Sequence, residues 1–269
     1  MLPFLKHMKP LADLALTLIC WTYFTLGYII LFSPFYIGTS LFSRNRERTF
    51  QRLNHLFYRG FFFLVRLMTP GLSFYIQDQV LSIRSSIVIS NHVSYLDPIL
   101  LISLYEKQKT IVKSIFFKLP IFGWVLKNSG YLPSTTGEEL NVLMIEQIEG
   151  MERYLASGGN LFVFPEGTRS RDGRIGRLNK GVFKIARRCR APIKVLSIQN
   201  TDRLFRPGKF LFNTCIPNTI KIELTGDIIP DYRKASSGIS DLMAEVRDLM
   251  EAGQRNNIGM SEMGRSKKL

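Results

Sequence analysis

The residues best suited to catalysis lie between Asn91 and Pro98, in the order Asn-His-Val-Ser-Tyr-Leu-Asp-Pro. His92 and Asp97 follow the apolar run Ser86–Ser90, which predicts a short buried strand. Asp97 would accept a hydrogen bond from Nδ1–H of His92, and this leaves Nε2 to take a proton from a hydroxyl group. Such a pair is the His-Asp half of a serine-protease triad, with the nucleophile supplied by the substrate.

The same stretch also has a structural interpretation. Asp97 precedes Pro98, and aspartate at the N-cap with proline at the first helical position is an ordinary helix start. His92 would then satisfy a buried backbone group. These residues alone leave both interpretations open, and Asp97 can serve in both. Ser94 is a conceivable nucleophile, but no G-x-S-x-G elbow surrounds it.

A second stretch, Phe164–Ser170, follows another apolar run and reads Phe-Pro-Glu-Gly-Thr-Arg-Ser. Gly167 allows close backbone approach, and Thr168 and Arg169 supply donors that suit a phosphate. A tight turn with a solvated Glu166–Arg169 pair is the alternative. Residues 169–194 contain ten basic residues and a single acidic one, an aspartate. This imbalance favours an anionic substrate or membrane.

These stretches resemble sequence blocks of the glycerolipid acyltransferases, in particular the bacterial 1-acyl-glycerol-3-phosphate acyltransferases. The first block of that family is N-H-x4-D, and the third, F-P-E-G-T-R-S, is matched in full. The second block is a lysine, a Pro-x-x-Gly segment and a strand, and Lys113, Pro120–Gly123 and Gly130–Leu132 are similar to it. The fourth is a proline-containing apolar strand, similar to the residues from Ala191 onward. The resemblance covers about residues 74–225.

The chain departs from the family pattern in two places. The second block usually ends in an arginine that helps to bind the acceptor's phosphate, and Tyr131–Ser134 contains none. The fourth block often has a second proline, where this chain has Lys194-Val195. Both departures concern the acceptor more than the type of reaction.

The resemblance implies direct acyl transfer without an acyl-enzyme, a cofactor or a metal. His92, oriented by Asp97, would deprotonate the acceptor hydroxyl, which attacks the thioester of acyl-CoA or acyl-carrier protein. The implied substrate-binding residues are Asn91, Lys113, Glu166, Gly167, Thr168 and Arg169. The expected acceptor is lysophosphatidate, giving phosphatidate. Another lysophospholipid or a lyso-aminolipid is the alternative, and a non-catalytic membrane-tethered protein that binds anionic lipid or nucleic acid is a more distant one.

Composition is consistent with a lipid partner. The 269 residues carry a net charge of +15 and 46% are hydrophobic, which favours anionic lipid over nucleic acid, and we expect no nucleic acid. The three cysteines, Cys20, Cys189 and Cys215, are scattered without a C-x-x-C pair. This excludes a disulfide framework or a zinc site of common spacing and fits a reducing compartment.

The amino-terminal region predicts membrane attachment. Leu14–Phe32 is an uncharged run that would span about 28 Å as a helix, and it is long for a signal peptide and lacks a cleavage site. Arg44–Arg52 contains four arginines against two lysines before the run, which predicts an inner (cytoplasmic) membrane protein with its catalytic domain on the cytoplasmic face. Pro34 leaves open a hairpin within one leaflet. Leu53–Met68, interrupted by arginines, predicts an interfacial helix, with a buried core helix as the alternative.

From Phe74 onward short apolar runs alternate with helical patterns. The candidate strands are Phe74–Gln77, Ser86–Ser90, Thr110–Lys113, Tyr131–Pro133, Leu161–Phe164, Ile193–Ile198 and Ile220–Leu224. The candidate helices are Asp97–Tyr105, a helix from the capping box Thr136–Glu139 to Leu155, Lys180–Arg190 and Ser240–Met250. The pattern predicts a single α/β domain, a mixed sheet flanked by helices, over residues 71–252. Residues 1–70 would form membrane-anchoring helices, and residues 253–269 a disordered tail.

Overall fold

The computed structural model describes residues 3–134, 138–170, 174–233 and 238–266. Within these residues seven strands form one sheet: β1 Leu72–Ile76, β2 Ile87–Ser90, β3 Gln108–Val112, β4 Leu132–Pro133, β5 Asn160–Val163, β6 Ile193–Gln199 and β7 Asn218–Ile228. Their order is β1-β7-β6-β2-β5-β3-β4. The β6–β7 pair is antiparallel and the other pairs are parallel. Each strand overlaps a predicted one, and the predicted mixed sheet is confirmed.

Helices cover both faces of the sheet. They are α1 Pro3–Thr22, a π-helical segment Tyr23–Phe32, α2 Ser33–Phe42, α3 Arg46–Met68, α4 Asp78–Leu81, α5 Leu96–Leu104, α6 Ser114–Phe117, α7 Pro120–Asn128, α8 Glu138–Glu149, α9 Met151–Ala156, α10 Lys180–Cys189, α11 Thr201–Leu204 and α12 Ile239–Ser266. Alternate strand residues enter two cores: Val88 belongs to the core that includes residues of α3 and α5, whereas Ile87 and Ile89 belong to the core that includes residues of α10 and α12. The central strands are therefore apolar on both faces.

The parallel central strands end at one edge of the sheet. In the register, Ser90 of β2 pairs with Leu196 of β6, and Ile89 pairs with Val163 of β5. β3 pairs in parallel with β5 on its other side. The loops that follow β2, β3, β5 and β6 therefore meet at this carboxyl edge, where open α/β sheets place their ligand sites.

The amino-terminal helices form an antiparallel pair with α3. By length and composition one helix of the described chain, Lys9–Phe42, would be able to cross a membrane. Tyr23 Oη donates a hydrogen bond of 2.7 Å to the carbonyl of Phe57, and Tyr36 Oη donates one of 2.6 Å to Asn54 Oδ1. Pro34 lies in the first turn of α2 and does not reverse the chain. The reversal follows Phe42 and ends at the cap of α3.

The third helix is the buried core helix that the sequence left as the alternative. It begins at Arg46, packs against α5, and buries Phe57, Phe61 and Val65. This face is covered by protein, as the alternative expected, and the interfacial interpretation stays a prediction for the outer face of the helix. The outer face retains an exposed Phe63.

Two helices differ in extent from their predictions. The capping box Thr136–Glu139 falls largely outside the described residues, and the single helix expected to follow it is interrupted at Gly150, which separates α8 from α9. The last helix runs to Ser266, past Gly253, where the sequence predicts a disordered tail. Gly253 packs on the sheet, where an added Cβ would come within 2.8 Å of the Thr225 methyl group. This close packing fixes the helix on the sheet at Gly253, the residue at which the sequence predicts that the disordered tail begins. The predicted domain boundaries remain a prediction.

Candidate active site

His92 and Asp97 lie in hydrogen-bond contact in the loop after β2. His92 Nδ1 is 2.9 Å from Asp97 Oδ2, and the backbone N–H groups of Val93 and Ser94 each donate to the same oxygen at 2.7 Å. Asp97 is fully buried. The carboxylate is thus held by the loop that carries the histidine, and the ring is oriented with Nε2 directed away from Asp97.

Asp97 is not the N-cap that the sequence suggested. The helix α5 begins at Leu96, its N-cap is Tyr95, and Asp97 is its second residue. The carboxylate instead reaches back to N–H groups that precede the helix. The correction changes the capping role of Asp97 and leaves its contact with His92 intact.

Thr201, which the sequence analysis missed, completes the environment of Asp97. Its hydroxyl donates a hydrogen bond of 2.5 Å to Asp97 Oδ1, and its side chain is buried. Thr201 begins α11 directly after β6, the neighbour of β2 in the sheet. The sequence feature that could have identified Thr201 is its position shortly after an apolar strand, which it shares with His92.

The Phe164–Ser170 stretch folds against the histidine. The rings of Phe164 and His92 stack with centroids 4.4 Å apart, and the N–H of Ser170 donates to the His92 carbonyl at 2.8 Å. The His92 side chain keeps 15% of its surface exposed. The two sequence motifs therefore form one site, and the imidazole remains accessible from outside.

Glu166 lies beside His92 with one oxygen occupied. Its Oε2 accepts a hydrogen bond of 2.8 Å from the N–H of Gly176, and its Oε1 is buried without a partner among the described residues. Burial raises the pKa of Glu166, while the hydrogen bond from Gly176 and the proximity of His92 act in the opposite direction. Gly167 has φ of +67°, a left-handed conformation that favours glycine, and Thr168 next to it is exposed.

Arg169 is held by an aromatic face and has an unused donor. Its guanidinium carbon lies 3.3 Å from the centroid of the Tyr95 ring. Its Nη1 is buried and has no partner among the described residues. Tyr95, also missed from the sequence, orients the guanidinium. The arrangement suits an oxyanion such as phosphate.

Lys113 reaches the same edge of the sheet from β3. It follows Val112, which pairs with Pro133 in β4, and the N–H of Ser134 donates to the Val112 carbonyl at 2.8 Å. Lys113 is exposed and stands beside Ser134. A cation is therefore present where the second sequence block lacks its arginine.

Comparison with known proteins agrees with this geometry. Residues 71–199 match the family model described as Acyltransferase. This matched region is just under half of the chain and resembles the acyltransferase family. A chloroplastic 1-acyl-sn-glycerol-3-phosphate acyltransferase of Brassica napus is 32% identical over 122 residues, which are 45% of this chain and 35% of that protein. A 1-acyl-sn-glycerol-3-phosphate acyltransferase of Saccharomyces cerevisiae is 30% identical over 161 residues, 58% of this chain and 52% of that protein.

A solved structure shows the same fold. The crystal structure of the 1-acyl-sn-glycerophosphate acyltransferase PlsC of Thermotoga maritima superposes with a TM-score of 0.69 at 22% identity, covering 93% of this chain and 98% of that one. Against the curated relatives, by contrast, the chain spans only about a third of the length of the Brassica protein. The predicted resemblance to this family and the predicted fold are confirmed.

Asn91, an implied substrate-binding residue, has both atoms of its amide group hydrogen-bonded within the protein. Its Nδ2 donates to the Ile198 carbonyl at 2.8 Å, and its Oδ1 accepts from the Ile198 N–H at 2.8 Å. The buried amide thus joins the ends of β2 and β6 and positions the loop. Ser94 is likewise buried, with Oγ donating to the Phe205 carbonyl at 2.9 Å, so it is not placed as a nucleophile. His55, which lacked an obvious partner in the sequence, lies with Nδ1 3.2 Å from the Ile102 carbonyl.

Proposed function

We propose that this acyltransferase transfers a fatty acyl group from an acyl thioester to the free hydroxyl of a lysophospholipid, with lysophosphatidate as the acceptor and phosphatidate as the product. The observation that carries the proposal is the contact of His92 with Asp97 directly beside the Glu166–Arg169 loop. That arrangement joins a candidate general base to a candidate phosphate site. The two relatives from Brassica napus and Saccharomyces cerevisiae are 1-acyl-sn-glycerol-3-phosphate acyltransferases, which supports the same acceptor.

The reaction follows from the geometry of the pair. His92 Nε2 takes the proton of the acceptor hydroxyl as its oxygen attacks the thioester carbonyl, and Asp97 stabilises the imidazolium through Nδ1. The tetrahedral intermediate collapses with cleavage of the C–S bond. The departing sulfur takes the proton back from His92, so the base is restored with the ester and the free thiol as products. Holding hydroxyl and thioester together supplies much of the rate enhancement.

The acceptor's phosphate would bind between two cations. Arg169 offers the unpartnered Nη1, and Lys113 offers an ammonium group at the neighbouring strand end. Lys113 thereby supplies the charge that the arginine of the second block supplies elsewhere in the family. Two such cations favour a phosphate-bearing acceptor over a lyso-aminolipid without phosphate. Gly167 and Thr168 would approach the glycerol.

The donor and the membrane complete the proposal. Acyl-CoA and acyl-carrier protein are both anionic, and the net charge of +15 suits either. The apolar helix Lys9–Phe42 would hold the domain at the bilayer that contains the acceptor, with exposed side chains such as Ile30, Phe35 and Phe42 toward lipid. We propose attachment to the inner membrane with the domain on its cytoplasmic face.

The test is a thioester-consumption assay with purified full-length protein and a panel of lysolipids. We expect turnover with lysophosphatidate, weaker turnover with other lysophospholipids, and a loss of about 10²–10⁴-fold in His92→Ala. Circular dichroism and flotation with liposomes check that the variant still folds and binds membrane. Full activity in His92→Ala, or a strong preference for an acceptor without phosphate, contradicts the proposal.

A further inference from the structure

A second cluster of cations surrounds a cavity away from the His92 site. The cavity has a volume of about 630 Å³, within the range of small-molecule sites. Its charged lining residues are Arg48, Arg52, Arg59, Arg84, Lys107 and Glu106. Five of the six are basic, and no part of the proposed reaction uses them.

The cavity lies at the opposite edge of the sheet from the proposed active site. Arg84 precedes β2, Lys107 precedes β3, and Asn160, which also lines the cavity, begins β5. These strands are parallel, so their amino ends share one edge and their carboxyl ends the other. His92 follows the carboxyl end of β2. The body of the sheet therefore separates the two sites.

Three of the cations form a stripe along α3. Arg52 lies one turn after Arg48, and Arg59 lies two turns after Arg52. This spacing places the three side chains on one face of the helix. In the described part of the chain none of their side chains forms an ion pair with a carboxylate. Like charges one turn apart destabilise a helix. The stripe thus has an electrostatic cost that an anion in the cavity would offset.

The other two cations approach from the strand side. Arg84 Nη1 contacts the carbonyls of Leu81 and Ile83 at 2.9 and 2.7 Å, which fixes the guanidinium without neutralising it. Lys107 Nζ is held by the carbonyl and hydroxyl of Ser157, both at 2.6 Å. Burial lowers the pKa of Lys107, and the charge of Arg48 lowers it further. The cavity is therefore electropositive, and Arg84 and Lys107 are already held in place by these hydrogen bonds.

We propose that this cavity binds a phosphate-bearing anion, which is either the headgroup of an anionic lipid or a soluble phosphate. Guanidinium groups bind phosphate bidentately, and three of the cavity's arginines come from one rigid helix. The position of the cavity also suits a lipid headgroup, because Arg48 follows shortly after Phe42, the end of the apolar helix. The site is independent of the acyl-transfer reaction.

The test is a binding titration of the full-length chain in uncharged detergent. The protein carries Arg169→Ala in every sample, so that the proposed acceptor site does not contribute. One arm uses inorganic pyrophosphate, and the other uses mixed micelles that contain either phosphatidate or phosphatidylcholine. The cavity variant is Arg52→Gln with Arg59→Gln. The matched control is Arg46→Gln with Arg66→Gln, two exposed arginines of the same helix outside the cavity.

We expect at least about tenfold weaker binding in the cavity variant and no change in the control, since the cavity variant removes two cationic hydrogen-bond donors to the phosphate. Binding of pyrophosphate alone identifies a soluble phosphate, and binding of phosphatidate micelles alone identifies a lipid headgroup. Absence of binding in both arms, or equal binding by both variants, overturns the proposal. If the first cavity variant melts early, Arg48→Gln with Arg84→Gln replaces it under the same criteria.

Discussion

The hydroxyl of Thr201 donates a hydrogen bond of 2.5 Å to Oδ1 of Asp97, 104 positions earlier in the chain. The other oxygen of Asp97 accepts from His92 and from the backbone of the intervening loop. Both oxygens of this buried carboxylate therefore have fixed partners. Asp202, next to Thr201, has a pKa raised by burial and by the charge of Asp97, which shows how close the end of β6 lies to the carboxylate. Thr201 is a positioning residue in this arrangement.

Replacement of Thr201 with valine should lower kcat by about 10–100-fold, because a hydrogen bond to a charged group contributes about 1.5–3 kcal/mol. Thr201→Ser keeps the hydroxyl and should retain most of the activity. A purely structural role would reduce the amount of folded protein without changing the pH profile of kcat. We expect the valine variant to shift that profile, because Asp97 orients the imidazole. Unchanged kcat and pH profile in Thr201→Val would contradict the assignment.

The Asp97→Asn variant should lose about 10²–10⁴-fold in kcat, the range of a lost general base. The asparagine oxygen can still accept from Val93, Ser94 and His92 Nδ1, which all meet Oδ2 of Asp97, and its NH₂ group then faces Thr201. The variant keeps the orientation of the ring but lacks the negative charge that stabilises the imidazolium formed when His92 takes the acceptor's proton. Steady-state kinetics with thermal melting as the folding control measure the effect. Activity within a factor of a few of the parent would exclude the proposed role of Asp97.

Replacement of Arg169 with lysine should raise the KM for a phosphate-bearing acceptor by about tenfold with a smaller effect on kcat. Lysine keeps the charge but loses the planar contact with Tyr95 and the bidentate geometry. The matched control is Arg66→Lys, an exposed arginine on α3 far from the loop in sequence. A change confined to the KM of the thioester donor would place Arg169 in the donor site instead.

The Glu166→Gln variant should be more stable than the parent at neutral pH. Burial raises the pKa of Glu166 above its ordinary value of 4.5, so the folded state binds more protons than the unfolded state between these two values. Parent stability therefore falls as pH rises through that window, and the glutamine variant lacks this loss. We expect Tm to rise by about 2–4 °C at pH 7, equivalent to about 1 kcal/mol. The difference should shrink below the window, and an advantage that grows on acidification would contradict the assignment.

The ion pair between the buried Lys109 and the partly exposed Glu47, which ties β3 to α3, gives a stability prediction. Lys109 Nζ donates to Glu47 Oε2 at 3.0 Å and to Gln147 Oε1 at 2.7 Å, and it lies 4.4 Å from the centroid of the Tyr154 ring. Glu47→Gln should cost about 1–3 kcal/mol in urea unfolding, because it leaves a buried ammonium without its anion. The double variant Glu47→Gln, Lys109→Met should recover part of this loss. Additive losses would show that the pair is not coupled.

The local features of this chain were readable from its sequence because their causes are local. Strands buried on both faces must be continuously apolar, which is why runs such as Ile87–Ser90 and Ile193–Gln199 were predicted at nearly their observed bounds. His92 lies in the loop after β2 and Asp97 in the first turn of the helix that follows, so their short spacing alone brought them within reach. The loop proposed to bind phosphate was likewise contained in one contiguous motif, Phe164–Ser170.

Contacts between distant segments were decided only by the tertiary structure. Thr201 meets Asp97, and Asn91 meets Ile198, because β6 lies beside β2, and no local pattern encodes that order of strands. In the same way, the sequence does not show which helices cover α3, so its arginines and aromatic residues fit either an interfacial or a buried helix. The packing of α5 and the amino-terminal helix against α3 shows which side chains are buried. Hydrophobic periodicity determines which residues turn inward, whereas the partners that they meet follow from the packing of the whole chain.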